Sequence, residues 1–231
     1  IHPNTLQDGI ASLVHLPGDV TMAAATRMIK LGLLIPPDFK NVIEIKDTTL
    51  TAWLHLTDRC NLRCSYCYLP HVREDMSIET GHASIDAIFR SVLANGFKRV
   101  KLKYAGGEPL LRFPLIVNLH QYAQMLAKKN KVILEGIVLS NGTLLTAEIV
   151  DSLKGLSLRL MISLDGLGES HDRHRPYAGG RGSFADVSNA VRLALANGLI
   201  PNISITVSGR TTENLHQLIS WILEDDLPFS L

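Results

Sequence analysis

The chain has 231 residues, is 46% hydrophobic and 19% charged, and carries a net charge of +1. That length and apolar content suit one medium domain that folds without disulfides, and they exclude a disordered chain. A near-neutral charge with no basic block excludes an electrostatic nucleic-acid footprint, and no run of about eighteen apolar residues is present to span a membrane.

In chain order, the first stretch to about Thr49 differs in style from the rest. A helix is expected over Asp19–Gly32, with Asp19 or Thr21 as its cap and Gly32 as its stop, followed by a polar linker. From Thr51 the pattern becomes strand then helix, repeated. Strands are expected at Ala52–Thr57, Val100–Ala105, Val132–Leu139, Leu158–Leu164, Asn202–Val207 and Pro228–Leu231. Helices are expected between them at Ser77–Ala94, Phe113–Lys129, Thr146–Leu153, Ser183–Ala196 and Thr211–Glu224. Ser77, Thr146 and Ser183 serve as caps, Pro114 as a helix starter, and Gly96 and Gly198 as stops. Such alternation implies a parallel sheet, either a barrel or an open doubly wound sheet. Within the strands one parity is apolar and the other polar: Lys101 and Lys103 oppose Val100 and Leu102, and Ser204 and Thr206 oppose Ile203 and Ile205. A parallel strand buried on both faces is apolar throughout. The polar parity therefore predicts a polar cavity on one face.

All three cysteines fall between Asp58 and Tyr68, in the sequence DRCNLRCSYCY, as Cys60, Cys64 and Cys67. Thiolates spaced C-x3-C-x2-C can converge on one metal centre, and a 4Fe-4S cube held by three of them keeps one iron open. Two other readings compete. The same spacing places three side chains on one helical face as core cysteines, and Cys60, Cys64 and Cys67 with His71 could hold a structural zinc. The motif, with Tyr66 in the aromatic slot before the third cysteine, resembles the signature of the radical S-adenosylmethionine (SAM) enzymes, and the resemblance extends over about Leu54–Leu231. It implies that the open iron chelates SAM and that the reduced cluster cleaves SAM to a 5′-deoxyadenosyl radical.

Further motifs stand one per strand end, where parallel α/β folds place their sites. Gly106-Gly107-Glu108-Pro109 follows the second strand; a glycine pair admits close backbone approach, and the resemblance implies that these residues bind the SAM amino group. Ser140-Asn141-Gly142 follows the third. It is a turn by composition, and by resemblance a SAM contact. Ser163 and Asp165, at i and i+2 after the fourth strand, face the same way. They serve ribose or substrate in one reading, with Asp165 the candidate catalytic residue, and in the other Asp165 caps a turn. The run His171-Asp172-Arg173-His174-Arg175-Pro176 reads as a charged surface loop, or with Arg175 pairing a carboxylate of SAM or substrate.

The expected fold is α/β, a partial (β/α)6 TIM-like barrel at residues 50–231 with a short, mostly helical N-terminal extension at residues 1–49. That extension reads as a cap on the barrel bottom in preference to the tail of a peptide-recognition module. The expected function is radical SAM chemistry on a peptide or protein side chain. The SLDG, HDRHR and GRGSF segments resemble anaerobic sulfatase-maturating (SPASM-containing) enzymes and related peptide maturases. A small-molecule radical SAM enzyme is the alternative within enzymes, and a non-catalytic iron–sulfur or zinc module the alternative outside them. The resemblance implies a 4Fe-4S cluster, SAM, an external electron donor of flavodoxin or ferredoxin type and a reducing, cytoplasmic setting. The chain begins at Ile1, not Met, and reaches Leu231 within its sixth expected strand. We therefore expect it to continue past Leu231 with further cysteines, as the maturases it resembles do.

Overall fold

The computed structural model describes residues 48–207 and 215–224. The chain divides into two compact units, Ile1–Lys46 and Asp47–Leu231, and the described residues belong to the second. The expected helix at Asp19–Gly32 and strand at Pro228–Leu231 lie outside them.

Five strands are described: β1 (Thr49–His55), β2 (Arg99–Ala105), β3 (Ile133–Ser140), β4 (Leu158–Ser163) and β5 (Asn202–Ser204). The helices are α1 (Ile78–Ala94), α2 (Phe113–Asn130), α3 (Ala147–Gly155), α4 (Glu169–His174), α5 (Phe184–Ala196) and α6 (Leu215–Glu224). The strands pair in parallel in the order β1-β2-β3-β4-β5. Sequential strands are thus always neighbours. A doubly wound sheet reverses its order at a switch point; this one does not, so it is the wall of a partial (β/α) barrel.

The two parities separate as their chemistry requires. Val100, Leu102 and Tyr104 of β2 and Leu158, Leu160 and Ile162 of β4 are buried against the helix layer. That layer meets them with Ile85, Phe89 and Val92 of α1, Leu115, Ile116 and Leu119 of α2, and Val187, Val191 and Ala194 of α5. Each fully buried large side chain contributes about 1.5–3 kcal/mol, so this face drives folding. The other face is polar, and its charges are matched across strands. Glu135 accepts from Arg99 at 2.6 Å and Arg159 at 3.0 Å, and the Lys103 ammonium sits 4.5 Å above the Trp53 ring.

Ser77 and Thr146 cap α1 and α3, accepting from Thr80 N–H (3.1 Å) and Ile149 N–H (3.3 Å). Ser183 does not cap α5. Its hydroxyl is taken by the backbone carbonyl of Arg175 (2.5 Å), and Asp172 accepts from Phe184 N–H (2.7 Å) instead. Strand β5 is shorter than its alternation predicts, because Thr206 N–H donates to Asp165 Oδ1 (2.8 Å). Two short elements lack any apolar period to announce them: α4, and a 3-10 turn at Pro109–Arg112 started by Pro109 and capped by the Glu108 side chain on Leu110 N–H (2.9 Å).

Candidate functional site

A cavity of about 510 Å³ opens at the carboxyl ends of the strands. Trp53 and His55 from β1, Leu139 and Ser140 from β3, Ser163 from β4 and Thr206 after β5 line it, with Cys60, Cys64 and Cys67. The polar parity does face this space.

The cysteines stand on a loop that the sequence closes at its neck. Asp58 N–H donates to Glu74 O (2.9 Å) and Met76 N–H to Leu56 O (2.9 Å). Thr57 Oγ1 donates to Asp75 Oδ1 (2.5 Å), and the other carboxylate oxygen of Asp75 holds Arg59 and Arg112. Inside the loop Leu62 is fully buried and anchors the stretch between the first two thiols. A second brace comes from beyond β4. Arg63 N–H donates to Pro176 O (2.7 Å), Ser65 N–H to His174 O (2.9 Å), and Ala178 N–H to Asn61 O (3.0 Å). Residues 174–178 thus hold the cysteine loop in place, a task that the charge pattern of that run does not announce.

Gly106 and Gly107 line the cavity, and the cysteine loop also crosses directly over them. Gly107 N–H donates to Thr57 O (2.7 Å) and Glu108 N–H to Arg59 O (2.8 Å). A Cβ at Gly106 would fall 3.0 Å from Thr57 N, and one at Gly107 would fall 2.7 Å from the Arg59 carbonyl carbon. Gly106 also has φ +139°, which a side chain disfavours. Close backbone approach is thus real, and in this structure the approaching backbone is the chain's own.

Glu108 does not line the cavity. Its carboxylate is fully buried and accepts from Leu110 N–H, Ser140 Oγ (2.8 Å) and Asn141 N–H (2.7 Å). Burial pushes its pKa up and these donors pull against that. It ties the end of β2 to the end of β3. Ser140 also accepts from Gly142 N–H (2.9 Å). Asn141 donates through Nδ2 to Asn61 Oδ1 (2.9 Å) and Cys60 Sγ (3.8 Å), and accepts from Thr143 N–H (2.9 Å). The Ser-Asn-Gly turn therefore reaches a cysteine sulfur through its side chain.

Across the cavity, Asp165, Tyr66 and Arg175 form one cluster. The Tyr66 hydroxyl donates to Asp165 Oδ2, and Arg175 Nη1 donates to Tyr66 Oη (2.6 Å) and Asp165 Oδ2 (3.3 Å). Burial raises the Tyr66 pKa, Arg175 opposes, and Asp165 adds to the rise. Asp165 N–H donates to His171 Nδ1 (3.3 Å), so the His171 proton lies on Nε2, which donates to Ser183 Oγ (3.1 Å). Burial, with Arg175 nearby, pulls the His171 pKa down to about 4. The buried histidine is a neutral strut behind Asp165.

The model of the radical SAM superfamily matches residues 54–222, which contain the three cysteines, the glycine pair and the Tyr66–Asp165–Arg175 cluster. The chain belongs to the radical SAM superfamily. A relative, the antilisterial bacteriocin subtilosin biosynthesis protein AlbA of Bacillus subtilis, is 27% identical over 73% of the chain and 36% of its own length. The GTP 3′,8-cyclase of Moorella thermoacetica is 35% identical over 65% of the chain and 45% of its own length. A solved structure of anSMEcpe with bound AdoMet and the Kp18Cys peptide superposes with a TM-score of 0.70 at 22% identity, covering 78% of this chain and 50% of that one. That likeness is one of fold. The chain thus spans less than half the length of either curated relative.

Radical SAM membership implies SAM and an iron–sulfur cluster. Among the described residues no group of three His, Cys, Asp or Glu side chains stands ready to hold a metal ion. The donor chemistry nevertheless fits a cluster. The three cysteines are unbridged and half-buried on one cavity. Burial pushes the Cys60 thiol up, and Cys64 up to about 11 with Arg175 opposing, so they are thiols until a metal displaces the protons. Cys60 Sγ receives N–H groups from Leu62 (3.4 Å) and Asn141. Two buried side-chain nitrogens lack any partner among the described residues, His71 Nδ1 and Arg175 Nε, and both residues line this cavity.

Sequence reasoning overlooked Asn61 and Thr143, whose side chains join segments far apart in the chain (Asn61 Nδ2 donates to Thr143 Oγ1, 2.8 Å), and it gave Ser183 a capping role in place of its contacts to Arg175 and His171. Asn61 carried a local signal, since it adjoins Cys60 inside the motif.

Proposed function

We propose that Cys60, Cys64 and Cys67 hold a 4Fe-4S cluster with SAM beside it, and that the complete protein uses the pair to modify a peptide or protein side chain. The observation that carries this reading is one cavity lined by three free thiols together with Tyr66 and Arg175, which Asp165 holds from behind. A cluster held by Cys60, Cys64 and Cys67 would supply the electron for reductive cleavage of SAM to methionine and a 5′-deoxyadenosyl radical, the species that would take a hydrogen atom from substrate. Gly106 and Gly107 offer their backbone to the SAM amino group, while Glu108 shapes that turn from behind. Arg175 has a free Nε for a carboxylate, and Ser163 faces the ribose or substrate side. Ser140 and Asn141 set the far wall and the environment of Cys60. Asp165 orients Tyr66 and Arg175, and through them the reacting partners. The electron comes from an external carrier of flavodoxin or ferredoxin type, which places the reaction in a reducing, cytoplasmic compartment. No helix among the described residues is long and apolar enough to cross a membrane.

The peptide assignment rests on the maturase-like HDRHR and GRGSF segments. A second reading, a small-molecule substrate, is favoured by the 35% identity to a GTP 3′,8-cyclase. Anaerobic reconstitution of the full-length protein tests the first step: a sulfur-to-iron charge-transfer band and release of 5′-deoxyadenosine on adding reductant and SAM are expected. Stoichiometric zinc released by His71→Ala would overturn it. Mass spectrometry of peptides encoded beside the gene then separates the substrate classes, with a modified peptide expected and an unaltered one favouring the small molecule.

A further inference from the structure

His71 is held in an unusual state for a residue with no role. It has φ 54°, the left-handed region, where a non-glycine residue is uncommon and costs of order 1 kcal/mol. Its Nδ1 is buried and has no hydrogen-bond partner, whereas buried polar groups are nearly always paired. Two departures at one residue need a common cause. The residue lines the cavity together with Cys60, Cys64 and Cys67, and with Cys60 and Arg63 it also lines a second cavity. Burial, then the nearby Arg63 guanidinium, lowers its pKa, with Asp58 opposing, so the ring is neutral at pH 7 and carries one N–H.

We propose that His71 is a positioning residue for the iron–sulfur group, its Nδ1–H donating a hydrogen bond to a sulfur of the cluster that Cys60, Cys64 and Cys67 hold. The inference rests on the cluster assignment above. His71 belongs to the lining of the cavity that the three thiols share, and the unpaired nitrogen finds its acceptor when the cluster is in place. A hydrogen bond to a cluster sulfur withdraws charge from it and stabilises the reduced, more negative state, so it raises the reduction potential. Leu62 N–H and Asn141 Nδ2 reach Cys60 Sγ already. His71 adds a donor from a third direction.

The test uses the reconstituted full-length protein with iron and sulfide quantified first, then a potentiometric titration of the cluster by EPR. His71→Gly removes the donor and relieves the backbone strain, so it should fold and load iron. His71→Asn keeps a side-chain N–H and tolerates the left-handed region. The expected result is a lower midpoint potential for His71→Gly and a potential restored toward the parent by His71→Asn. Equal potentials in the parent and His71→Gly overturn the inference while leaving the cluster assignment standing. So does an unchanged potential with weakened SAM binding, which moves the role of His71 to SAM. A parent that loads no iron overturns both readings.

Discussion

Replacing Gly107 by alanine tests the tightest packing in the site. A Cβ there falls 2.7 Å from the Arg59 carbonyl carbon and 2.9 Å from Asp58 O, whereas ordinary contact begins at 3.4 Å. Arg59 O is nearer still, so the loop must retreat by about 1 Å, and what retreats is backbone, one residue before Cys60. The movement stretches two hydrogen bonds, Gly107 N–H to Thr57 O and Glu108 N–H to Arg59 O. Overpacking costs about 1–3 kcal/mol and each weakened bond about 0.5–1.5 kcal/mol, so the total is about 2–6 kcal/mol. At about 2–4 °C per kcal/mol for a domain of this size, the apo-protein should lose roughly 4–24 °C in Tm. The assay is thermal unfolding by circular dichroism, followed by iron content after reconstitution, which should also fall. Gly155→Ala is the control: a Cβ at Gly155 meets nothing within 4 Å, so it should be neutral or gain a few tenths of a kcal/mol. A Gly107→Ala protein that melts and loads iron like the control would refute the claim that this glycine makes room for the cysteine loop.

Cys60→Ala, Cys64→Ala and Cys67→Ala should each abolish stable iron binding while leaving the far-ultraviolet spectrum of the apo-protein unchanged, since none of the thiols is in a disulfide. Asp165→Asn leaves the buried Arg175 guanidinium without its carboxylate. Breaking a buried pair costs about 3–5 kcal/mol, to be read from urea unfolding, and SAM binding should weaken with it. Acid should destabilise the fold above the usual carboxylate range. His120 and His171 are buried with pKa values lowered from 6.5 to about 4, so the unfolded chain binds more protons between those values. Their stability contribution is full above pH 6.5 and lost as pH falls toward 4, about 3 kcal/mol for each. Urea midpoints across that interval should fall with pH, and His120→Gln should flatten the slope.

The barrel was legible because each level of the sequence said the same thing. Apolar parity, caps at Ser77 and Thr146 and stops at Gly96 and Gly198 all pointed to one strand–helix alternation, and the five described strands fell within a few residues of their expected bounds. The motifs stood at strand ends where ligand sites form. Hidden from the sequence were contacts that depend on three dimensions. Glu108 is read from the motif as a contact to SAM, largely through backbone carbonyls; the employment of its carboxylate on Leu110, Ser140 and Asn141 has no signal in the motif. Ser183 is read as a cap, yet a carbonyl eight residues earlier claims its hydroxyl. The glycine pair signals close approach, but no local pattern names the approaching backbone.

The brace between residues 61–65 and 174–178 has a consequence for the order of events at the ribosome. The thiols leave the exit tunnel about 110 residues before the segment that pins their loop. At about 5–20 residues per second, that is a delay of roughly 6–22 s. During it the reactive sulfurs are present on an unbraced loop, closed at its neck alone, and exposed to stray metal and oxidant. Closing so distant a contact is also entropically late. Delivery of iron and sulfide therefore has a natural starting gun in the completion of the segment after β4, and chains stalled before it should be the ones that misload.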